Sequence, residues 1–98
     1  MAITTKIAAT TSAVEVTDAT TELVATGPFV VYADNFAVGE SVAVYRLGPS
    51  ATFLPLTNKD GSVFLSAIPN MIYVEAAGTY RFVKTITATA ASVGIEQI

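Results

Sequence analysis

The stretch Glu75-Ala-Ala-Gly-Thr-Tyr-Arg-Phe-Val-Lys84 decides the predicted fold of this chain. A turn glycine, Gly78, is followed closely by Tyr80 on an alternating strand, which is the pattern of a tyrosine corner. In such a corner the tyrosine ring packs inward, and its hydroxyl bonds to the backbone a few residues upstream. Because strand side chains alternate between two faces, Tyr80 and Phe82 are expected inside and Arg81 on the other face. The stretch predicts an all-β protein, an immunoglobulin-like antiparallel β-sandwich of about seven strands.

Apolar packing has to hold the two predicted sheets together. Phe82 occupies the position at which antibody domains carry a cysteine, and the chain has no cysteine, which excludes a disulfide. The lack of disulfides also fits folding in a reducing cytosol. The expected structural core consists of Tyr80, Phe82, Val42, Val44, Phe29 and Val31.

The length of 98 residues predicts one domain, 1–98, because it is close to the usual size of such a sandwich. Residues 1–27 differ from the rest, with eight threonines and no aromatic residue. A segment of this composition buries little apolar area, so it contributes weakly to its own stability. We expect 1–27 to form outer strands of the domain, with an arm reaching a neighbouring subunit as the alternative, and 28–98 to form the sandwich core.

Alternating apolar residues separated by Gly, Pro, Asn and Asp predict the individual strands. Residues 12–17 alternate around Val14 and Val16, and 29–33 are almost continuously apolar, which is typical of a strand buried on both faces. Asp60-Gly61 favours a hairpin between 51–56 and 62–66, in which Pro55 would mark an edge strand.

The composition is apolar and weakly charged. Hydrophobic residues make up 52% of the chain and charged residues 13%, against about 25% charged in an average globular protein. One interpretation is that surplus apolar surface is buried against other subunits, giving a homo-oligomer or a larger assembly. The other is that the many Ala and Thr residues raise the count while covering an ordinary surface.

Charge and hydropathy limit the partners and the location. A net charge of −3 with scattered basic residues argues against binding nucleic acid. No run of about 18 apolar residues predicts a membrane span. The first ten residues lack the features of a secretory signal, so we expect a protein that is made in the cytoplasm and not secreted by a signal peptide.

The residue types disfavour catalysis. Without histidine or cysteine, the commonest general base, the thiolate nucleophile and the usual zinc ligands are missing. The carboxylates lack the spacing of a calcium loop, and single glycines do not form a phosphate cradle. We therefore expect no enzyme, no catalytic residues, no metal and no cofactor.

Candidate interface residues are few. Arg46 and Arg81 lie beside Tyr45 and Tyr80 in mid-strand, where they form either a guanidinium-aromatic interface or simply point to solvent. The loop 34–40, with Asp34 and Phe36, is the best candidate for recognition by a loop. The remaining aromatic residues are expected to pack inside rather than to form a sugar-binding face; they are Phe29, Tyr32, Phe53, Phe64 and Tyr73.

The carboxy-terminal part resembles small virion proteins of tailed bacteriophages. The residues that carry the resemblance are Gly-Thr-Tyr-Arg-Phe-Val-Lys at 78–84, the Ala/Thr-rich link at 85–91 and Ser-Val-Gly-Ile at 92–95. The Val-Ala-Val-Tyr strand at 42–45 and the Asp-Gly hairpin also suit that group. The resemblance covers roughly residues 28–98.

This resemblance implies a non-enzymatic immunoglobulin-like module of a phage virion, one that decorates or cements the capsid surface. Its partners would be the major capsid protein or another virion protein, and it would act as an oligomer. The alternatives are a phage tail or fibre module, or a bacterial immunoglobulin-like surface module, that recognises a host-cell glycan or protein. The resemblance assigns no functional residue, because the shared motif belongs to the core of the fold.

Overall fold

The computed structural model describes residues 3–37, 40–56, 65–66 and 71–98, of which 65–66 are described by their backbone alone. The described ranges contain nine strands and one short 3₁₀ turn, Ala19–Thr21, rather than the predicted seven or so strands. The strands are β1 Thr4–Thr10, β2 Leu23–Ala25, β3 Phe29–Asp34, β4 Ser41–Leu47, β5 Phe53–Pro55, β6 Leu65–Ser66, β7 Met71–Val74, β8 Gly78–Lys84 and β9 Ala91–Gln97.

The strands form two antiparallel sheets. Sheet A has the order β1-β9-β3-β7, and sheet B has the order β2-β8-β4-β5, with β6 also paired to β4. The predicted all-β sandwich is confirmed.

The core lies between the two sheets. All six residues expected there are buried, each with at most 1% of its surface exposed. The rings of Phe29 from sheet A and Tyr80 from sheet B meet edge to face, with centroids 4.9 Å apart and planes at 67°. This arrangement is favourable for two aromatic rings and joins the sheets across the core.

The tyrosine corner has the predicted geometry. The hydroxyl of Tyr80 donates a 2.8 Å hydrogen bond to the backbone carbonyl of Ala76. A Cβ atom at Gly78 would lie 2.9 Å from Nε of Arg46, so a larger residue there would displace that side chain. The corner therefore fixes the beginning of β8 against β4.

The N-terminal segment belongs to both sheets. β1 pairs with β9 and β2 pairs with β8, so residues 4–25 supply an outer strand to each sheet. The prediction of a strand at 12–17 was wrong, since this segment connects the two sheets and makes one isolated bridge, between Val14 and Lys84. The alternation around Val14 and Val16 was too short to fix a strand.

Strand β5 pairs with β4, and the predicted hairpin falls largely on residues that the structure does not describe. β5 pairs with β4 after a tight turn in which the N–H of Gly48 donates to the carbonyl of Thr52 at 2.8 Å. β6 pairs with the beginning of β4, and residues 57–64 lie outside the described residues. Within the described strands β5 is last in the order of sheet B, as expected for a strand that contains Pro55.

Strand β3 alternates instead of being buried on both faces. Phe29, Val31 and Ala33 are buried, whereas Val30 and Tyr32 are half-buried on the opposite face. The continuous apolar run concealed this alternation because the outward side chains are also apolar. The outer face of sheet A is thus more apolar than a solvated sheet face normally is.

Candidate interaction surface

The outer face of sheet A is built by the register of its four strands. Tyr32 is paired with Gly94 on one side and Met71 on the other, and Gly94 is also paired with Thr5. Since paired residues project on the same face, these four positions form one row across the sheet. The neighbouring row contains Tyr73, Val30 and Glu96.

This face exposes large apolar side chains. Ile3 is 59% exposed, Met71 is 55% exposed and Tyr73 is 53% exposed. An open groove of about 400 Å³ lies on this face. It is lined by Ile3, Thr5, Tyr32, Ala33, Asp34, Met71, Ser92 and Gly94. We call this surface the sheet A outer face.

Gly94 forms the floor of the groove. A Cβ atom at this position would lie 2.9 Å from Cγ2 of Ile3, so the glycine lets Ile3 rest on the sheet. Because Gly94 has no side chain, the row that contains Thr5, Gly94 and Tyr32 has a gap between Thr5 and Tyr32. A glycine inside a strand often marks a close approach of another group, and here that group is Ile3.

The charged groups of the sheet A outer face are carboxylates. The hydroxyl of Tyr32 donates to Oε1 of Glu96 at 2.9 Å, and this hydrogen bond raises the pKa of Tyr32 above its ordinary value. Asp34 is exposed at the end of β3. The groove therefore combines apolar walls with carboxylates at its margin.

The expectation that Tyr32 and Tyr73 pack inside was wrong. Both residues project from the sheet A outer face, because their positions alternate with buried residues on β3 and β7. Among the other aromatic residues in that prediction, Phe29 is buried, Phe53 is half-buried and Phe64 lies outside the described residues. No local signal identifies this face, because Met71 and Tyr73 alternate with Ile72 and Val74, which are also apolar.

Arg46 closes one end of the core. Its Nη2 atom donates to the carbonyl of Ala77 at 2.8 Å, and its guanidinium carbon lies 5.9 Å from the ring centroid of Tyr80. The side chain is exposed and contacts an aromatic ring of its own chain; its role in an interface stays a prediction.

Arg81 fastens the N-terminal segment to β8. It forms a 2.9 Å ion pair with Glu22 and donates to the carbonyl of Val16 at 3.1 Å. Its guanidinium carbon also lies 4.4 Å from the ring centroid of Phe53. These contacts occupy Arg81 within the domain, away from the sheet A outer face.

The predicted recognition loop is partly described. Asp34 is exposed, but Phe36 is half-buried and packs against the core. Glu40 accepts hydrogen bonds from the N–H groups of Ala37 at 2.8 Å and Ala88 at 2.7 Å, and these bonds lower the pKa of Glu40. Residues 38–39 lie outside the described residues.

Lys84 is a buried charged residue, and its burial was not predicted from the sequence. It is 1% exposed, and its ammonium group donates to the carbonyls of Ser12 and Thr85 and to Oγ1 of Thr87, at 2.9 to 3.1 Å. Burial lowers the pKa of Lys84, while the charge of Glu40 acts in the opposite direction. The group links the segment before the 3₁₀ turn to the end of β8, which is a structural role.

A second apolar area lies at the edge of sheet B. Leu47 and Leu54 are exposed around the turn between β4 and β5, beside Pro49 and Pro55. It exposes two large apolar side chains, against three on the sheet A outer face, and neither of the two is aromatic.

The part of the chain that the structure describes contains no group of three or more carboxylates placed to hold a metal ion. No helix within those residues has the length and hydropathy needed to cross a membrane. No protein-family model, curated protein or solved structure matches this chain.

Proposed function

We propose that this chain is a non-enzymatic binding module that attaches to another protein through the sheet A outer face. The observation that carries the proposal is the exposure of three large side chains on one face, Ile3 and Met71 at the groove and Tyr73 in the neighbouring row. Exposed apolar residues that are scattered singly need no explanation, but a contiguous set on one face is typical of interaction sites. Aromatic residues and methionine are also enriched in protein interfaces.

The bonds of the carboxylates support a structural role. Glu22 pairs with Arg81, Glu40 accepts from two backbone N–H groups, Asp18 caps the 3₁₀ turn and Glu96 accepts from Tyr32. The bonds of Glu22 to Arg81, Glu40 to Ala88 and Glu96 to Tyr32 join segments that are distant in the sequence. The chain also lacks histidine and cysteine, so catalysis would need a carboxylate poised for proton transfer.

The proposed partner is the surface of a tailed-phage capsid, formed by the major capsid protein or another virion protein. This choice rests on the sequence resemblance at 78–95, and the tyrosine corner at Tyr80 supports an immunoglobulin-like form of the sandwich. The protein would be made in the host cytoplasm and become part of the virion as a decoration or cement protein. Each copy would bind weakly, and many copies bound together would hold the lattice through avidity.

Co-sedimentation with capsids tests the proposal. The probe is the capsid encoded by the genome that encodes this chain, and the wild-type chain is expected to sediment with it. Gly94→Val places a residue that strands favour at the floor of the groove and displaces Ile3, so it should abolish binding while the domain stays folded. Leu54→Ser is the matched control, because Leu54 is 52% exposed on sheet B; it should bind as wild type does.

Two results would contradict this proposal. One is a wild-type chain that does not sediment with the capsid. The other is a folded Gly94→Val variant that binds as tightly as wild type. A circular dichroism spectrum and an unfolding curve for each variant establish that the domain is folded.

Glycan recognition is the second candidate, and the outward position of Tyr32 and Tyr73 favours it. The exposed ring of Tyr73 and the half-buried ring of Tyr32 can contact a sugar. The hydroxyls of Thr5 and Ser92 and the carboxylate of Asp34, which line the groove with Tyr32, can bond to its hydroxyls. In this case the chain would be a tail, fibre or bacterial surface module. Binding to a glycan array that is lost in Tyr73→Ser, together with no capsid binding, would favour this function over the first.

A further inference from the structure

We infer that the partner of the sheet A outer face presents lysine or arginine side chains beside apolar residues, and that it is not a second copy of this chain. The inference rests on the proposed function, because it names the partner chemistry of the same surface. It follows from the distribution of charge over the described residues.

The sheet A outer face carries carboxylates and, within the described strands, no basic residue. Asp34 is exposed at the end of β3, and Glu96 is half-buried beside Tyr32. Glu75 is exposed directly after β7. The outward residues of the two central rows are otherwise uncharged: Thr5, Gly94, Tyr32, Met71, Val30 and Tyr73.

Four of the five basic residues donate to main-chain carbonyls elsewhere in the domain, and the fifth, Lys59, lies outside the described residues. Lys6 donates to Glu22 at 3.0 Å, Arg46 to Ala77 at 2.8 Å, Arg81 to Val16 at 3.1 Å and Lys84 to Ser12 at 2.9 Å. Their positive charges therefore do not compensate the carboxylates at the groove.

This distribution of charge distinguishes between two partners of the sheet A outer face, a second copy of this chain and a protein with basic residues. Two copies meeting through this face would bring the carboxylates of one chain against those of the other, and like charges at an interface are unfavourable. A partner with lysine or arginine at the rim of an apolar patch pairs its cations with Asp34, Glu75 and Glu96 instead. Such rim pairs mainly guide association and specificity, so binding should weaken as salt screens them.

The first experiment uses a defined probe and the full chain. A ¹⁵N-labelled sample is titrated with a short peptide of alternating leucine and lysine, and separately with a peptide of alternating leucine and glutamate. Amide shifts are expected for the leucine-lysine peptide, clustered on β1, β3, β7 and β9. Shifts that cluster on other acidic regions, no shifts at all, or the same map with the leucine-glutamate peptide would overturn the inference.

Charge reversal supplies the matched variants. Asp34→Lys should weaken binding of the leucine-lysine peptide by about 1.5-fold to fivefold, a range that follows from the energies of exposed ion pairs. Glu15→Lys makes the same change in net charge at an exposed residue of the segment between β1 and the 3₁₀ turn, so it should have a clearly smaller effect. Equal effects of the two variants would show that only net charge matters and would overturn the inference.

The second copy is tested by mass and by the same spectra. Light scattering that shows a dimer, together with concentration-dependent shifts on the sheet A outer face without peptide, would contradict the inference. A single-chain mass, or a dimer whose shifts lie on another surface, agrees with it.

The failure of this inference can be separated from the failure of the proposed function. Capsid binding that is unaffected by Asp34→Lys and by raising NaCl from about 50 mM to about 500 mM keeps the capsid proposal and overturns the charge inference. If the chain does not bind capsids but the leucine-lysine peptide shifts amides on β1, β3, β7 and β9, the charge inference stands and the capsid proposal is overturned.

Discussion

The two faces of sheet A use their apolar residues differently. On the inner face Phe29, Val31 and Val93 are completely buried against sheet B. On the outer face Met71 and Tyr73 expose more than half of their surface, although they belong to the same sheet. A strand divides its side chains equally between two faces, so the apolar surplus of this chain stabilises the fold on one side only. In the proposed function, the other side is the binding surface.

The largest effect expected from this comparison is a difference in stability between core and outer-face substitutions. Phe82→Ala removes a fully buried ring and should lower the free energy of unfolding by about 3 to 5 kcal/mol. Tyr73→Ala removes an exposed ring and should change it by about 1 kcal/mol or less. Urea unfolding followed by circular dichroism measures both values. Similar losses for the two variants would break the comparison.

A smaller effect is expected at the tyrosine corner. Tyr80→Phe keeps the ring in the core but leaves the carbonyl of Ala76 without its donor. The expected loss is about 1 to 2 kcal/mol of unfolding free energy. The control is Tyr73→Phe, which removes a hydroxyl from an exposed ring and should be neutral. If Tyr80→Phe were also neutral, the corner bond would not contribute to stability.

Lys84 gives the smallest effect, which depends on pH. Burial places the pKa of Lys84 in the folded protein below its ordinary value of 10.5. As pH rises from the folded-state pKa towards 10.5, the folded chain releases this proton before the unfolded chain does, so stability should increase in this window. Below the folded-state pKa both states are protonated, and this contribution is constant.

The matched variant for this prediction is Lys84→Met, which has no proton to release at this position. The difference in unfolding free energy between wild type and Lys84→Met should shift in favour of wild type as the pH rises within that window. Urea unfolding at a series of alkaline pH values measures it. A difference that stays constant, or shifts in favour of the variant, would contradict the lowered pKa.

The inner layer could be predicted from sequence because it depends on local patterns. Alternation around Tyr80 and Phe82 indicates one face directly, and the glycine before the tyrosine indicates the corner. The structure buries these residues together with Val42, Val44, Phe29 and Val31. The Val-Ala-Val-Tyr strand predicted at 42–45 lies within β4, Ser41–Leu47.

The outer face could not be predicted, because it depends on which strands are neighbours. Met71 and Gly94 are 23 positions apart in the sequence, yet both are adjacent to Tyr32, through two different pairings of β3. A run such as 29–33, apolar on both faces, does not show whether its outward residues meet another layer or solvent. The ion pair of Arg81 within the domain could not be predicted either, because it depends on where the fold places Glu22 of the N-terminal segment.

The most direct test of the account is side-chain labelling of the capsid-bound chain. Hydroxyl radicals modify exposed Met71 and Tyr73 in the free protein, and mass spectrometry measures the extent of modification. The account predicts that binding protects both residues, whereas Leu54 and Ile86, which are exposed outside the sheet A outer face, remain as reactive as before. Unchanged labelling of Met71 and Tyr73 with protection at Leu54 or Ile86 would contradict it.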